Sequence, residues 1–111
     1  FFNFEKVSKR THLDIASVNS AIHIKMNGSV IDEAGLSAGG VAPIPLYLRK
    51  TSEFLRGKVI SEDLVNDTIE IAYEEISPIS DARGSKEYKR LLLRQLIKAH
   101  FISLFPSLVS P

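Results

Sequence analysis

Polar residues that could do chemistry gather at two places in the chain. Lys6, Lys9 and Arg10 stand among the aromatics of the opening segment F-F-N-F-E-K-V-S-K-R. Asp81, Arg83, Gly84, Ser85, Glu87 and Tyr88 crowd into the segment S-D-A-R-G-S-K-E-Y. Read from residue type alone, the first group is a solvated basic edge that discourages strand pairing. In the second, Asp81 and Ser85 suit a helix N-cap, Arg83 a carboxylate partner and Tyr88 a place in the core. His12, His23 and His100 have no second ligand at a metal spacing, which argues against a metal site. There are no cysteines. That excludes a disulfide framework, a thiolate zinc site, an iron–sulfur cluster held by this chain and a cysteine nucleophile. Gly39-Gly40 could cradle a phosphate only with a helix N-terminus behind it. Prolines 43 and 45 follow instead, so a bend or bulge is the better reading. Lys86, Arg90, Arg94 and Lys98 recur every fourth residue. A nucleic-acid face is conceivable there, but the net charge of +1 favours a solvated or interdomain face.

The positioning elements can be read from periodicity. Phe2, Phe4 and Lys6 alternate with Asn3, Glu5 and Val7, a weak strand pattern. Val18, Ser20, Ile22, Ile24 and Met26 alternate with Asn19, Ala21, His23 and Lys25, which predicts a half-buried strand. Asn27-Gly28 predicts a type I′ turn with both residues at its centre, returning into a strand over 29–38. Ile44, Leu46 and Leu48 predict a short edge strand, since the flanking prolines cannot donate to a ladder. Thr51 is expected to cap one helical turn closed by Gly57. Ser61 is expected to cap a helix to Ile76, with Glu62 and Asp63 in its first turn and Val65, Ile69, Ala72 and Ile76 as its apolar stripe. Pro78 ends that helix. Ser85 then caps a longer one, whose apolar face is Tyr88, Leu92, Leu96 and Ala99, widened by Leu91, Leu93, Ile97, Phe101 and Ile102.

This order predicts an α+β two-layer sandwich: an antiparallel sheet of three to four strands followed by two main helices packed on one face. Residues 1–105 form one domain and 106–111 a tail. With 44% hydrophobic and 24% charged residues, the composition is that of a globular domain with a real core. No run reaches the roughly 18 apolar residues that a membrane span needs, so no membrane or nucleic-acid partner is expected. The chain opens on Phe rather than Met, which predicts a start inside a longer reading frame.

Three segments, in order, carry a family resemblance. The opening F-F-x-x-x-K-x-x-x-R-x-x-x-D-I-A-x-V falls on Phe1, Phe2, Lys6, Arg10, Asp14, Ile15, Ala16 and Val18. A-G-L-S-A-G-G-V-A-P-I-P covers 34–45, and P-I-S-D-A-R-G-S-K-E-Y-K-R covers 78–90. Together they resemble the C-terminal domain of the FAD-binding subunit of xanthine dehydrogenase and carbon monoxide dehydrogenase family molybdenum hydroxylases, the opening being more xanthine dehydrogenase-like. The resemblance implies a cytoplasmic oxidoreductase in which electrons pass from molybdopterin through 2Fe-2S clusters to FAD. It implies that this domain completes one side of the flavin site beside an N-terminal FAD-binding domain. The molybdopterin and 2Fe-2S centres would lie in partner domains or subunits. Lys6 occupies the place of the family's lysine near the pyrimidine edge of the flavin, where an ammonium stabilises negative charge gained on reduction. Arg10 is the second cofactor-side candidate. A basic or aromatic cluster that some relatives carry after this arginine is replaced by Thr11 and His12.

The isolated domain is expected to be inactive and, having no glycine-rich pyrophosphate loop, not to bind FAD tightly. No residue of it is expected to be catalytic. The alternative is a stand-alone assembly module of the same fold. A still weaker alternative is a small nucleic-acid binder using the basic helix stripe.

Overall fold

The computed structural model describes residues 1–10, 15–39, 46–76 and 86–109, with side chains described for 1–5, 19–39, 46–76 and 91–109. Four strands come first: β1 (Phe2–Arg10), β2 (Ile15–Asn27), β3 (Val30–Gly39) and β4 (Leu46–Tyr47). Three helices follow: α1 (Arg49–Leu55), α2 (Glu62–Ile76) and α3 (Lys86–Leu104). The strands form one antiparallel sheet in the order β1-β2-β3-β4. This is the expected α+β arrangement, with α1 as a third, shorter helix.

Alternation along β2 sorts the residues as the period of two requires. Ser20, Ile22 and Ile24 are buried, while His23 and Lys25 are exposed. Ile22 pairs with Leu36 and Ser20 with Ala38, so the buried rows of β2 and β3 coincide. Over this face lie Leu64, Val65, Ile69, Ala72 and Ile76 of α2 and Leu92, Leu93, Leu96, Ile97 and Phe101 of α3. Phe105 and Val109 extend the same core beyond α3, Val109 being 1% exposed. Leu91, expected on the apolar face, is 50% exposed instead. At 100° per residue its neighbours 92 and 93 hold the core side, and position 91 swings outward.

Two boundaries differ from the sequence-based expectation. The β2–β3 turn is Gly28-Ser29, with Asn27 paired to Val30. Positive φ falls on Gly28 (63°) and on no non-glycine residue among those described, which is the type II′ requirement rather than I′. A register shift between Lys25 and Met26 leaves Asp32 as an extra residue in β3, so the pairing beyond the turn runs as Lys25 with Glu33. Helix α1 starts at Arg49, with Leu48 at the N-cap position and Thr51 buried inside the helix. The Glu75 carboxylate of α2 accepts from the N–H groups of Lys50 and Thr51, both at 2.9 Å, and from Thr51 Oγ1 at 2.7 Å. The orphan donors of α1 are therefore satisfied from another helix. By contrast, Ser61 accepts from the Leu64 N–H at 3.1 Å, the expected cap of α2. Ser52 ties α1 to the sheet, accepting from the Leu36 N–H at 2.9 Å while donating to the Leu48 carbonyl at 2.6 Å.

Candidate functional site

With the helices on one side, the other face of the sheet is left open among the described residues. Its rows follow from the register. Phe2 pairs with His23, which pairs with Gly35. Phe4 pairs with Ala21, which pairs with Ser37, which pairs with Tyr47. Lys6 pairs with Asn19, which pairs with Gly39. The middle of this face is floored by residues with little or no side chain, Ala21, Gly35, Ser37 and Gly39. Its flanks are aromatic: Phe2 is 69% exposed, Phe4 55% and Tyr47 61%. The result is a trough, and one depression in it, of about 290 Å³, is lined by Phe2, Ala21, His23, Gly35, Ser37 and Tyr47.

The glycines are needed by their neighbours across the ladder. A Cβ on Gly35 would collide with the His23 ring at Cε1, so the imidazole lies across the Gly35 backbone. A Cβ on Gly39 would come within 2.7 Å of Asn19 Oδ1. Such contacts are below any ordinary van der Waals approach, so a larger residue at either position would have to push the His23 ring or the Asn19 amide aside. The trough floor therefore presents the His23 ring and the Asn19 amide laid over the glycines, between aromatic walls, a shape suited to a planar or main-chain surface laid against it.

On the helix side of β1, a hydrogen-bonded chain links three strands to α3. The Asn3 Nδ2 atom lies 2.8 Å from Glu5 Oε2 and 2.9 Å from His100 Nδ1. His100 Nε2 lies 2.9 Å from Ser20 Oγ, and the Ser20 hydroxyl donates to the Ser37 carbonyl at 2.8 Å. His100 is fully buried. Burial pushes its pKa down from 6.5 to about 4, with the Glu5 carboxylate pulling the other way. Periodicity would place position 100 beside Leu96 and Phe101 on the apolar side of α3. The partners of this histidine, Asn3 and Ser20, lie far off in the sequence, which is why local pattern gives its structural role no signal.

The expected site residues fall unevenly on this frame. Lys6 and Arg10 sit in β1, opposite Asn19 and Ile15 by backbone register. Their side chains lie outside the described residues. Asp81, Arg83, Gly84 and Ser85 also lie outside the described residues, whereas Glu87 and Tyr88 belong by backbone to the first turn of α3. Among the described residues, no three of His, Asp and Glu gather closely enough to hold a metal ion. No helix among them is long and apolar enough to cross a membrane.

Comparison with known proteins bears on this architecture. The sequence model of the family described as CO dehydrogenase flavoprotein C-terminal domain matches residues 4–104. The chain is 33% identical over 98 residues to the glyceraldehyde dehydrogenase medium chain of Sulfolobus acidocaldarius, covering 88% of this chain and 34% of that one. It is 33% identical over 92 residues to xanthine dehydrogenase 1 of Arabidopsis thaliana, covering 78% of this chain and 7% of that one. It thus spans about a third of the medium-chain relative and a much smaller share of the long plant chain. Among solved structures, carbon monoxide dehydrogenase from Hydrogenophaga pseudoflava superposes with a TM-score of 0.69 at 26% identity, over 88% of this chain and 34% of that one. Quinoline 2-oxidoreductase from Pseudomonas putida 86 gives a TM-score of 0.73 at 24% identity, over 92% of this chain and 35% of that one, a likeness of fold.

Proposed function

The chain belongs to the CO dehydrogenase flavoprotein C-terminal domain family, and from that premise we propose that it closes one side of the flavin site in the FAD-carrying part of a xanthine dehydrogenase-like molybdenum hydroxylase. The observation that carries this reading is the open aromatic face of the sheet, continuous by register with the backbone position of Lys6. An antiparallel sheet with one face covered by helices ordinarily turns polar residues to water on the other. Phe2, Phe4 and Tyr47 on that outer face are cover in search of a partner surface. We take that partner to be the N-terminal FAD-binding domain, the 2Fe-2S and molybdopterin centres belonging to further domains or subunits of the same enzyme.

The trough fits a partial flavin site. It has room for a flat group or a main-chain segment between aromatic walls, yet it offers no enclosed pocket for a whole dinucleotide. FAD, when bound, supplies the redox chemistry that receives electrons from the iron–sulfur clusters. The chain's own part is to exclude water from one side and to hold positive charge from Lys6, with Arg10 as a second cation at the flavin or the domain interface. An ammonium at a site shielded from water acts far more strongly than one in bulk solvent.

The test is substitution in the full FAD-carrying protein. Lys6→Ala should slow flavin reduction or weaken FAD retention while substrate chemistry at the molybdenum centre is unchanged. Unchanged flavin potential and occupancy would remove Lys6 from the site. The purified 111-residue domain, titrated with FAD, should show no submicromolar binding, because the pyrophosphate-binding elements would belong to the other domain. Tight binding by the domain alone would sink the shared-site reading.

A further inference from the structure

We propose that His100 is a positioning residue for the flavin-side lysine: through Asn3 and Ser20 it fixes where the outer strand β1, which carries Lys6, lies relative to the rest of the sheet. This rests on the reading of Lys6 given above.

The directions of the hydrogen bonds can be assigned one after another. A carboxylate only accepts, so Glu5 Oε2 fixes the Asn3 amide with its nitrogen toward Glu5. That same nitrogen faces His100 Nδ1 and can only donate, so Nδ1 accepts. The imidazole is therefore neutral with its proton on Nε2, which donates to Ser20 Oγ. The Ser20 proton remains free to reach the Ser37 carbonyl. Each hydrogen bond of the network has one consistent direction, and no buried side-chain nitrogen or oxygen among the described residues is left without a partner. A network satisfied in only one arrangement specifies one geometry.

The placement of this network gives it leverage over position 6. Strand β1 is at the sheet's edge, paired on one side only, by β2. Residues 3 and 5 are held from the helix side by His100 and by each other. Phe2 and Phe4, exposed on the trough side, alternate with them. The network reaches β2 at Ser20, whose register partner is Glu5, the residue before Lys6. It reaches β3 at Ser37, on the trough floor. One buried imidazole thus joins the edge strand, the central strands and α3. Removing it frees the edge strand to shift, and electrostatic contacts to a cofactor are sensitive to shifts of well under a side chain's length.

The experiment compares Lys6→Ala, His100→Leu, His100→Gln and the double variant Lys6→Ala/His100→Leu in the full FAD-carrying protein. Readouts are the flavin midpoint potential and the rate of flavin reduction, with circular dichroism as the check of folding. His100→Leu should shift the potential in the same direction as Lys6→Ala and slow flavin reduction on the order of tenfold, inside the hundredfold that a misplacement of about 1 Å can cost. His100→Gln, which keeps an acceptor and a donor, should recover much of the loss. In the Lys6→Ala background, His100→Leu should add nothing. If Lys6→Ala shifts the potential and a folded His100→Leu does not, or if the two effects simply add, the positioning role is overturned while the Lys6 reading stands. If Lys6→Ala itself has no effect, both are overturned. Should His100→Leu fail to fold, Asn3→Ala and Ser20→Ala cut the same chain at its ends and carry the same comparison.

Discussion

Asn3 of β1 and His100 of α3 stand 97 positions apart in sequence and 2.9 Å apart in space. The amide donates and the ring accepts, which requires the imidazole to be neutral. Because the ring is fully buried, this one pair couples the fold to proton concentration.

The coupling has a definite sign. An unfolded histidine takes its proton near pH 6.5, and His100 in the fold only near about 4. Between these values the unfolded state binds more protons, so stability is full above about 6.5 and falls as the pH drops toward 4. The loss is on the order of 3 kcal/mol in all. Urea unfolding of the wild type at pH 7 and pH 4.5 should show it, and His100→Gln should lack the histidine-linked share. Equal pH slopes for the two proteins would contradict a neutral buried ring.

Glu75→Ala should unfix α1. The carboxylate receives three hydrogen bonds from Lys50 and Thr51, and a buried or half-buried bond to a charged group is worth about 1.5–3 kcal/mol. A loss of about 2 kcal/mol is expected, seen as a fall of several degrees in the thermal midpoint, while Thr51→Val should cost less. A substitution at Glu75 with no effect on the midpoint would mean that α1 is held by Ser52 and its apolar contacts alone.

Gly35→Ala should displace the His23 ring rather than break the sheet, since that ring is exposed and free to turn away. The single variant should cost about 1 kcal/mol or less. In a His23→Ala background the cost should largely vanish, a non-additivity expected of touching residues. Equal costs in the two backgrounds would show that the Gly35 backbone, not the ring, sets the limit.

Phe2→Ser, Phe4→Ser and Tyr47→Ser together should leave the fold nearly as stable as before, because these rings lie outside the core. On the proposed reading they should weaken attachment to an FAD-binding domain, measured by limited proteolysis between the two or by loss of FAD from the full protein. A triple variant that retains FAD as firmly as the wild type would place the covered surface elsewhere.

Much of this architecture is legible from local pattern because it is locally determined. The alternation of β2, the stripe of α2 and the Ser61 cap depend on neighbours within a few residues, and each stands as the periodicity implies. The errors share a different cause. The helix-start signal at Thr51 misleads because the group that satisfies α1 is Glu75, 24 residues away. The hairpin turn falls on Gly28-Ser29, and not on Asn27-Gly28, because Met26 and Asn27 pair with Ile31 and Val30, a ladder register that no turn rule records. His100 looked idle because a buried histidine is recognised by its partners, and those are Asn3 and Ser20. The trough was unread for the same reason: Gly35 and Gly39 are unremarkable until β2 lays His23 and Asn19 over them.

The order of the elements bears on how the domain is made. The hairpin of β2 and β3 closes over a two-residue turn and can form early, whereas α3, the last helix, packs on β1, the first strand. Closing that contact means bringing together segments that are made far apart in time and lie far apart in sequence. The edge strand that bears Lys6 therefore takes its helix-side support only from the last element of the chain. Without α3 the hairpin would hold yet β1 would lose its support from the helix side, so incomplete products would be exposed to proteolysis at that strand.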